Sequence, residues 1–146
     1  MSYKNLSITP PQFTSQSATK QSQFYRGFST VDETSSAVAL YDQELIKQDL
    51  FNQLSTIKGE RVMNPEFGTI IWNVIFDPLT SQLKEEIQND INRILASDPR
   101  IKPIQVLMIE KEYGILLEAT ITYTNSDQVD NMKLSFDREI GLTVVR

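Results

Sequence analysis

Apolar and polar positions along this chain follow two different periods, and the change from one to the other falls near Pro99. From about Asp42 to Ile57 the apolar residues Ile46, Leu50, Leu54 and Ile57, joined by Leu45 and Phe51, recur at helical spacing. Lys58-Gly59 supplies a basic last turn and a C′ glycine that would end this first helix. The run Ile70-Ile71-Trp72-Asn73-Val74-Ile75-Phe76 is too short and too uniformly apolar to classify by period, so a short buried helix and a core strand both fit it. Asp77-Pro78 reads as an N-cap with proline at the first helical position, opening a second helix. Its apolar stripe is Leu79, Leu83, Ile87, Ile91, Ile94 and Leu95, while Lys84, Glu85, Glu86, Gln88, Asp90 and Arg93 fall largely on the opposite, solvated face. Pro99 disfavours helical geometry at Asp98 and stops the helix there.

Beyond that proline the period becomes two. Ile104, Val106 and Met108 oppose Gln105, Leu107 and Ile109. After Tyr113-Gly114, residues Ile115, Leu117, Ala119, Ile121 and Tyr123 oppose Glu118, Thr120, Thr122 and Thr124, which predicts a hairpin. Past the polar loop Asn125-Ser126-Asp127, Met132, Leu134 and Phe136 alternate with Asn131, Lys133 and Ser135, and the segment from Ile140 to Val145 alternates again. Helices first and antiparallel strands after predict an α+β domain, with two amphipathic helices packed on one face of an antiparallel β-sheet. Residues 1–35 break the pattern: they are rich in Ser, Thr and Gln around Pro10-Pro11, yet carry Tyr3, Phe13, Phe24, Tyr25 and Phe28. They read as an extended N-terminal arm on a domain of residues 36–146. A frayed terminus and a segment whose aromatics order on a neighbouring chain are both open to it.

Composition narrows the chemistry. A length of 146 residues suits one domain with its own core. Cys and His are both absent, which excludes disulfides, thiolate or imidazole metal sites, Cys nucleophiles and any imidazole base. A net charge of -5 and a pI near 4.7 argue against a broad phosphate-binding surface, so nucleic acid is not an expected direct partner. No apolar stretch approaches the roughly 20 residues that span a bilayer. The polar start Met1-Ser2-Tyr3-Lys4-Asn5 lacks a secretory apolar segment, so no membrane partner is expected, and the chain is expected to be used in the cytoplasm or in a particle assembled there.

Catalysis would have to run on carboxylates. A glycoside hydrolase needs two of them several ångströms apart, one in an apolar pocket. Glu66, between Pro65 and Phe67 and near Trp72 and Phe76, and Asp77 are the best candidates for a peptidoglycan hydrolase. Each also has a structural reading, since Asp77 can cap the second helix and Glu66 can pair with Arg61 or Arg100. No phosphate-cradling loop, metal-ligand cluster or activated hydroxyl appears at motif spacing, so no metal, no cofactor and no enzymatic activity are expected. Glu110, Glu112 and Glu118 read as a solvated or partner-facing sheet surface.

The most specified stretch is Gly59-Glu60-Arg61-Val62-Met63-Asn64-Pro65-Glu66-Phe67-Gly68, which packs a helix stop, a proline turn, a close-approach glycine and opposite charges between two helices. Together with Phe76 and Asp98-Pro99-Arg100 it resembles the baseplate wedge and sheath-initiator proteins of contractile phage tails and related injection machines, a family that also carries a lysozyme-like label. The resemblance covers roughly residues 40–146. The family's second signature reads Glu-Pro-Arg, and Asp98 here shortens the carboxylate's reach by one methylene, which bears on any bidentate pairing. What the resemblance implies is a structural protein of the tail baseplate within the virion. It would hold the helical bundle of the wedge proteins and template the first ring of the tail sheath protein by strand pairing, with tube or hub proteins as further neighbours. Partner contacts would then fall on Arg61, Pro65, Glu66, Phe67, Gly68, Asp98, Pro99 and Arg100, and on the terminal strand through Ile140, Leu142, Thr143, Val144 and Val145. Alternation alone fits an inner strand of the sheet equally well. A peptidoglycan hydrolase, or a soluble binding module sharing only the turn, would account for fewer of these features.

Overall fold

A computed structural model of the chain describes residues 24–28 and 39–145; Tyr3, Phe13 and most of the expected arm lie outside them. Within the arm, Arg26–Phe28 (β1) pairs antiparallel with Ala39–Tyr41 (β2). The Asp42 carboxylate accepts from the amides of Phe24 and Tyr25 at 2.9 and 2.8 Å, which ties this hairpin to the start of the first helix.

That helix, α1, spans Asp42–Ser55 and buries Ile46, Leu50 and Leu54, one residue per turn along a single face. It ends two residues short of Ile57. The reason is local: the Ser55 hydroxyl donates to Phe51 O at 2.7 Å and the Thr56 hydroxyl to Asn52 O at 2.9 Å, which satisfies the last carbonyls without a left-handed glycine. Gly59, expected as the C′ residue, instead sits at φ +92° in the turn after Ile57, where the Glu60 amide donates to Ile57 O. The ambiguous apolar run forms a one-turn helix, α2, over Ile71–Val74.

The long helix α3 runs from Ser81 to Ser97. Its cap is Thr80, whose hydroxyl accepts from the Leu83 amide at 3.2 Å, and Asp77-Pro78 does not play that part. The Asp77 amide is spent on Val74 O and Thr80 N donates to Pro78 O, so both residues belong to the turn joining α2 to α3. The predicted stripe is buried at Ile87, Ile91, Ile94 and Leu95.

Four strands follow as an antiparallel meander in the order β3-β4-β5-β6: Ile101–Lys111, Gly114–Tyr123, Val129–Asp137 and Gly141–Val145. One face carries Ile115, Leu117, Ala119, Ile121, Tyr123, Met132, Leu134 and Phe136 into a core shared with both long helices. This is the α+β arrangement anticipated from the period change. Two details differ. β3 starts at Ile101, and its register jumps between Pro103 and Gln105, because Pro103 has no amide to donate; Ile104 is left 58 % exposed and outside the core. Ile140 lies in the turn before β6, where the Asp137 carboxylate accepts from Glu139 N and Ile140 N and is held by these amides below the usual carboxylate range. Among the described residues, β3 and β6 are each hydrogen-bonded to another strand on one side only.

Candidate functional site

The signature turn is a closed loop pinned at both ends. Where α1 stops, Lys58 N donates to Thr69 O and Thr69 N to Thr56 O, at 3.1 and 3.0 Å, giving a single parallel bridge between Ile57 and Thr69. Gly59 N donates across the loop to Pro65 O at 2.9 Å, and Phe67 N to Asn64 O at 3.1 Å. Gly68 follows at φ +107°, with a hypothetical Cβ only 2.6 Å from Thr56 O, so both conformation and space demand glycine.

Beneath the loop α3 supplies a clamp. Asp90 Oδ2 accepts from Thr69 Oγ1 and Ile70 N, both at 3.0 Å, and Oδ1 accepts from Arg93 Nη2 at 2.7 Å. Arg93 in turn donates to Glu66 O and Gly68 O, each at 3.2 Å. Asp90 is only 7 % exposed, contrary to its expected place on the solvated face. Its position explains this: it lies three residues after Ile87 and four before Ile94, within the apolar stripe, and burial is possible because every oxygen has a donor. That spacing was the signal that could have found it. On the outer side Arg61 stacks over the Phe67 ring at 3.7 Å, and Glu66 pairs with Lys58 at 3.2 Å, so neither Arg61 nor Arg100 is its partner. Trp72 secures α2 by donating Nε1 to Leu54 O at 2.8 Å and packing on Phe136.

The second signature folds on itself. Arg100 forks onto Asp98 through Nε and Nη2, the latter at 2.6 Å, and reaches Asp49 on α1 at 2.9 Å, so the shorter aspartate still makes a bidentate pair. Burial alone would raise the Asp98 carboxyl, but the Arg100 guanidinium and amide outweigh it and hold the group below the usual range. The Asp98 hydrogen bonds, assisted by Asp49, push the Arg100 guanidinium further toward its charged form.

These two signatures meet. A depression of about 360 Å³ beside α1 is lined by Asp49, Leu50, Asn52, Gln53 and, from the signatures, Arg61, Phe67, Asp98 and Arg100. Pro65 and Pro99 are exposed outside it, Glu66 faces Lys58, and Gly68 is buried. Leu142, Thr143, Val144 and Val145 lie apart on β6, with the last three exposed. Of the two candidate acids, Glu66 has a side chain 73 % exposed, and Asp77 lines a crevice of about 100 Å³ whose walls do not include Glu66. No buried side-chain polar atom among the described residues lacks a hydrogen-bond partner, and no cluster of three acidic ligands converges there.

Fold and surface together define a small α+β protein that carries its most specified residues on a rigid turn, a charged fork and an open sheet edge. Three comparisons bear on where such a protein belongs. A family model described as baseplate wedge protein gp25 matches residues 41–130, well over half of the chain. The baseplate wedge protein gp25 of Enterobacteria phage T4 is 26 % identical over 93 residues, covering 61 % of this chain and 70 % of that protein. A crystal structure from Geobacter sulfurreducens, provisionally named a tail lysozyme, superposes with a TM-score of 0.57 at 26 % identity, over 64 % of this chain and 88 % of its own. The chain belongs to the baseplate wedge protein gp25 family, and is thus a structural component of a phage tail baseplate. No helix among the described residues is long and apolar enough to cross a membrane.

Proposed function

We propose that this protein joins the baseplate wedge through its signature surface and starts the tail sheath through its terminal strand, without enzymatic activity. The observation that carries the proposal is the open edge of β6, which among the described residues is bonded to β5 alone and exposes Thr143, Val144 and Val145, with no charge and no proline. An apolar, alternating edge is an aggregation liability unless another strand covers it. Strand addition by a sheath subunit would convert that liability into the function. On the other side of the work, Arg61, Phe67, Asp98 and Arg100 would meet the helical bundle of neighbouring wedge proteins, and tube or hub proteins are further candidate neighbours.

Sheath polymerisation on baseplates assembled with variant protein tests this. Successive amides of a strand point to opposite edges, so of Thr143→Pro and Val144→Pro one removes an outward donor while sparing the bonds to β5. That variant should fold normally and fail to nucleate sheath, whereas Lys84→Ala on α3 should nucleate as wild type does. Normal nucleation by both folded proline variants overturns the templating role.

The tail-lysozyme name of the Geobacter structure raises a hydrolase reading, in which Glu66 and Asp77 would cleave peptidoglycan. Glu66 is exposed and held by Lys58, and the two acids share no pocket, so the reading lacks the apolar site of a general acid. Cell-wall turbidity should not fall on adding the protein; clearance abolished by Glu66→Gln in a folded variant would reverse this conclusion.

A further inference from the structure

The segment Phe24–Phe28 sits in a seat built by the start of α1, and that seat reads its sequence. The Asp42 carboxylate accepts from the Phe24 and Tyr25 amides at 2.9 and 2.8 Å, and the Asp42 amide donates to Tyr25 O at 3.1 Å. Asp42 makes these bonds from a left-handed backbone at φ +44°, a conformation that aspartate adopts more readily than most residues but still at a cost. β1 then lies on β2 with Arg26 opposite Tyr41, Gly27 opposite Leu40 and Phe28 opposite Ala39. A Cβ at Gly27 would run into Leu45 Cδ1 on α1, so the seated strand needs glycine there. Two residues earlier the seat takes an aromatic ring: Tyr25 packs against the core, with the Arg100 guanidinium 5.7 Å from its ring centre. Of the five glycines in the chain, only Gly27 has an aromatic residue two positions before it.

The link between strand and seat is far less specified. Ten residues, Ser29 to Val38, join β1 to β2 without a glycine or a proline, whereas a hairpin loop usually has about 2–5 residues and a marked turn. A link of ten residues reaches about 33–36 Å when extended, enough to carry β1 to a neighbouring molecule. Charge favours such a move. Residues 1–28 hold Lys4, Lys20 and Arg26 and no acid, a charge of +3, while residues 29–146 hold -8, and the two together make the net -5.

We infer that the seat at Asp42 takes β1 from a second copy of this chain, so that two copies exchange their N-terminal segments. The exchanged strand makes the same bonds to Asp42 and the same fit on Leu45 as the chain's own strand does. Exchange therefore sacrifices no contact, and concentration decides between the two arrangements. The basic segment of one copy is drawn to the acidic body of the other although the copies as wholes repel. Neither the signature turn nor the β6 edge takes part in the exchange.

The chain has no cysteine, so engineered ones report the seat directly. Phe28 and Ala39 face each other across β1 and β2. Full-length Phe28→Cys and Ala39→Cys proteins are mixed at about 1 mM, where a second molecule competes with a flexible link, and are then oxidised. The mixed disulfide should form in about tenfold excess over that between Phe28→Cys and Lys84→Cys on α3, because a disulfide needs the two Cβ atoms close together. Gly27→Val then separates strand from seat. Added to the Phe28→Cys chain it should abolish the crosslink, since that strand no longer fits beside Leu45; added to the Ala39→Cys chain it should raise the crosslink, since that seat is vacated. A crosslink no more abundant than the Lys84 control overturns the exchange, and so does equal loss from Gly27→Val in either chain. A double variant Phe28→Cys/Ala39→Cys that closes only within its own chain at the same concentration overturns it as well.

Discussion

At the scale of single residues, the fold's specificity concentrates where polarity is buried. Asp90→Ala would leave Thr69 Oγ1, the Ile70 amide and part of the Arg93 guanidinium without their acceptor, and should cost about 2–4 kcal/mol in chemical denaturation. Gly68→Ala forces a Cβ against Thr56 O in a left-handed backbone and should cost at least about 2 kcal/mol, while Pro65→Ala on the exposed side of the loop costs under about 1. Arg100 adds a comparison between stability and docking. Its removal and that of Asp49 break the same ion pair between α1 and the turn before β3, yet only Arg100→Ala also empties the fork beside Phe67; wedge incorporation should fall for Arg100→Ala beyond any loss seen with Asp49→Ala. Equal incorporation of the two variants in a co-purification would reduce the fork to a structural tie. None of this clamp was foreseen from composition, because an acid inside an apolar stripe is read as solvent-facing until its donors are known.

Elements show which signals the chain carries openly. Alternation over residues 104–136 gave the strands and the hairpin, and their facing from Val106 onward, since period two depends on nothing outside the strand itself; Ile104 escaped it where the register jumps after Pro103. Helix boundaries were harder to read, because several residues compete to end or start a helix and only hydrogen bonding decides between them. Ser55 and Thr56 took the last carbonyls of α1 before Gly59 could, and Thr80 capped α3 although Asp77-Pro78 offers the stronger sequence signature. The difference is measurable: Thr80→Ala should destabilise by about 1 kcal/mol, and Asp77→Ala by less than about 0.5. A larger loss at Asp77 would restore it as the cap. The same dependence on partners explains why the signature residues were legible as a group while their pairings were not: Glu66 found Lys58 across the loop, a contact that follows from the closure between Gly59 and Pro65.

For the molecule as a whole, the ion pairs that join α1 to the rest set its response to acid. Asp98 pairs with Arg100, which bridges to Asp49, and Asp130 accepts from Lys47 on α1 and from the Tyr123 hydroxyl. Burial would raise Asp130, but Lys47 and Tyr123 prevail and lower it, as Arg100 does for Asp98. A depressed folded-state pKa contributes stability that is complete above the unfolded value, near 4, and is lost as pH falls through the folded one. Stability should therefore hold from neutral pH down to about 5 and decline below about 4, and Asp98→Asn/Asp130→Asn should be less stable at pH 7 with a shallower acid limb in urea titrations at each pH. The two sheet margins differ in a way that bears on how anything could grow from this protein. β3 is blunted by Pro103 and a register jump, and carries Lys102, Glu110 and Lys111, whereas Leu142 to Val145 on β6 carry neither proline nor charge. Among the described residues the four-stranded sheet has no second receptive margin to pass on, so self-pairing through β6 closes at two chains and does not run on along this sheet into a fibre. Concentrated protein should sediment as monomer or dimer, and extension along this sheet has one direction only.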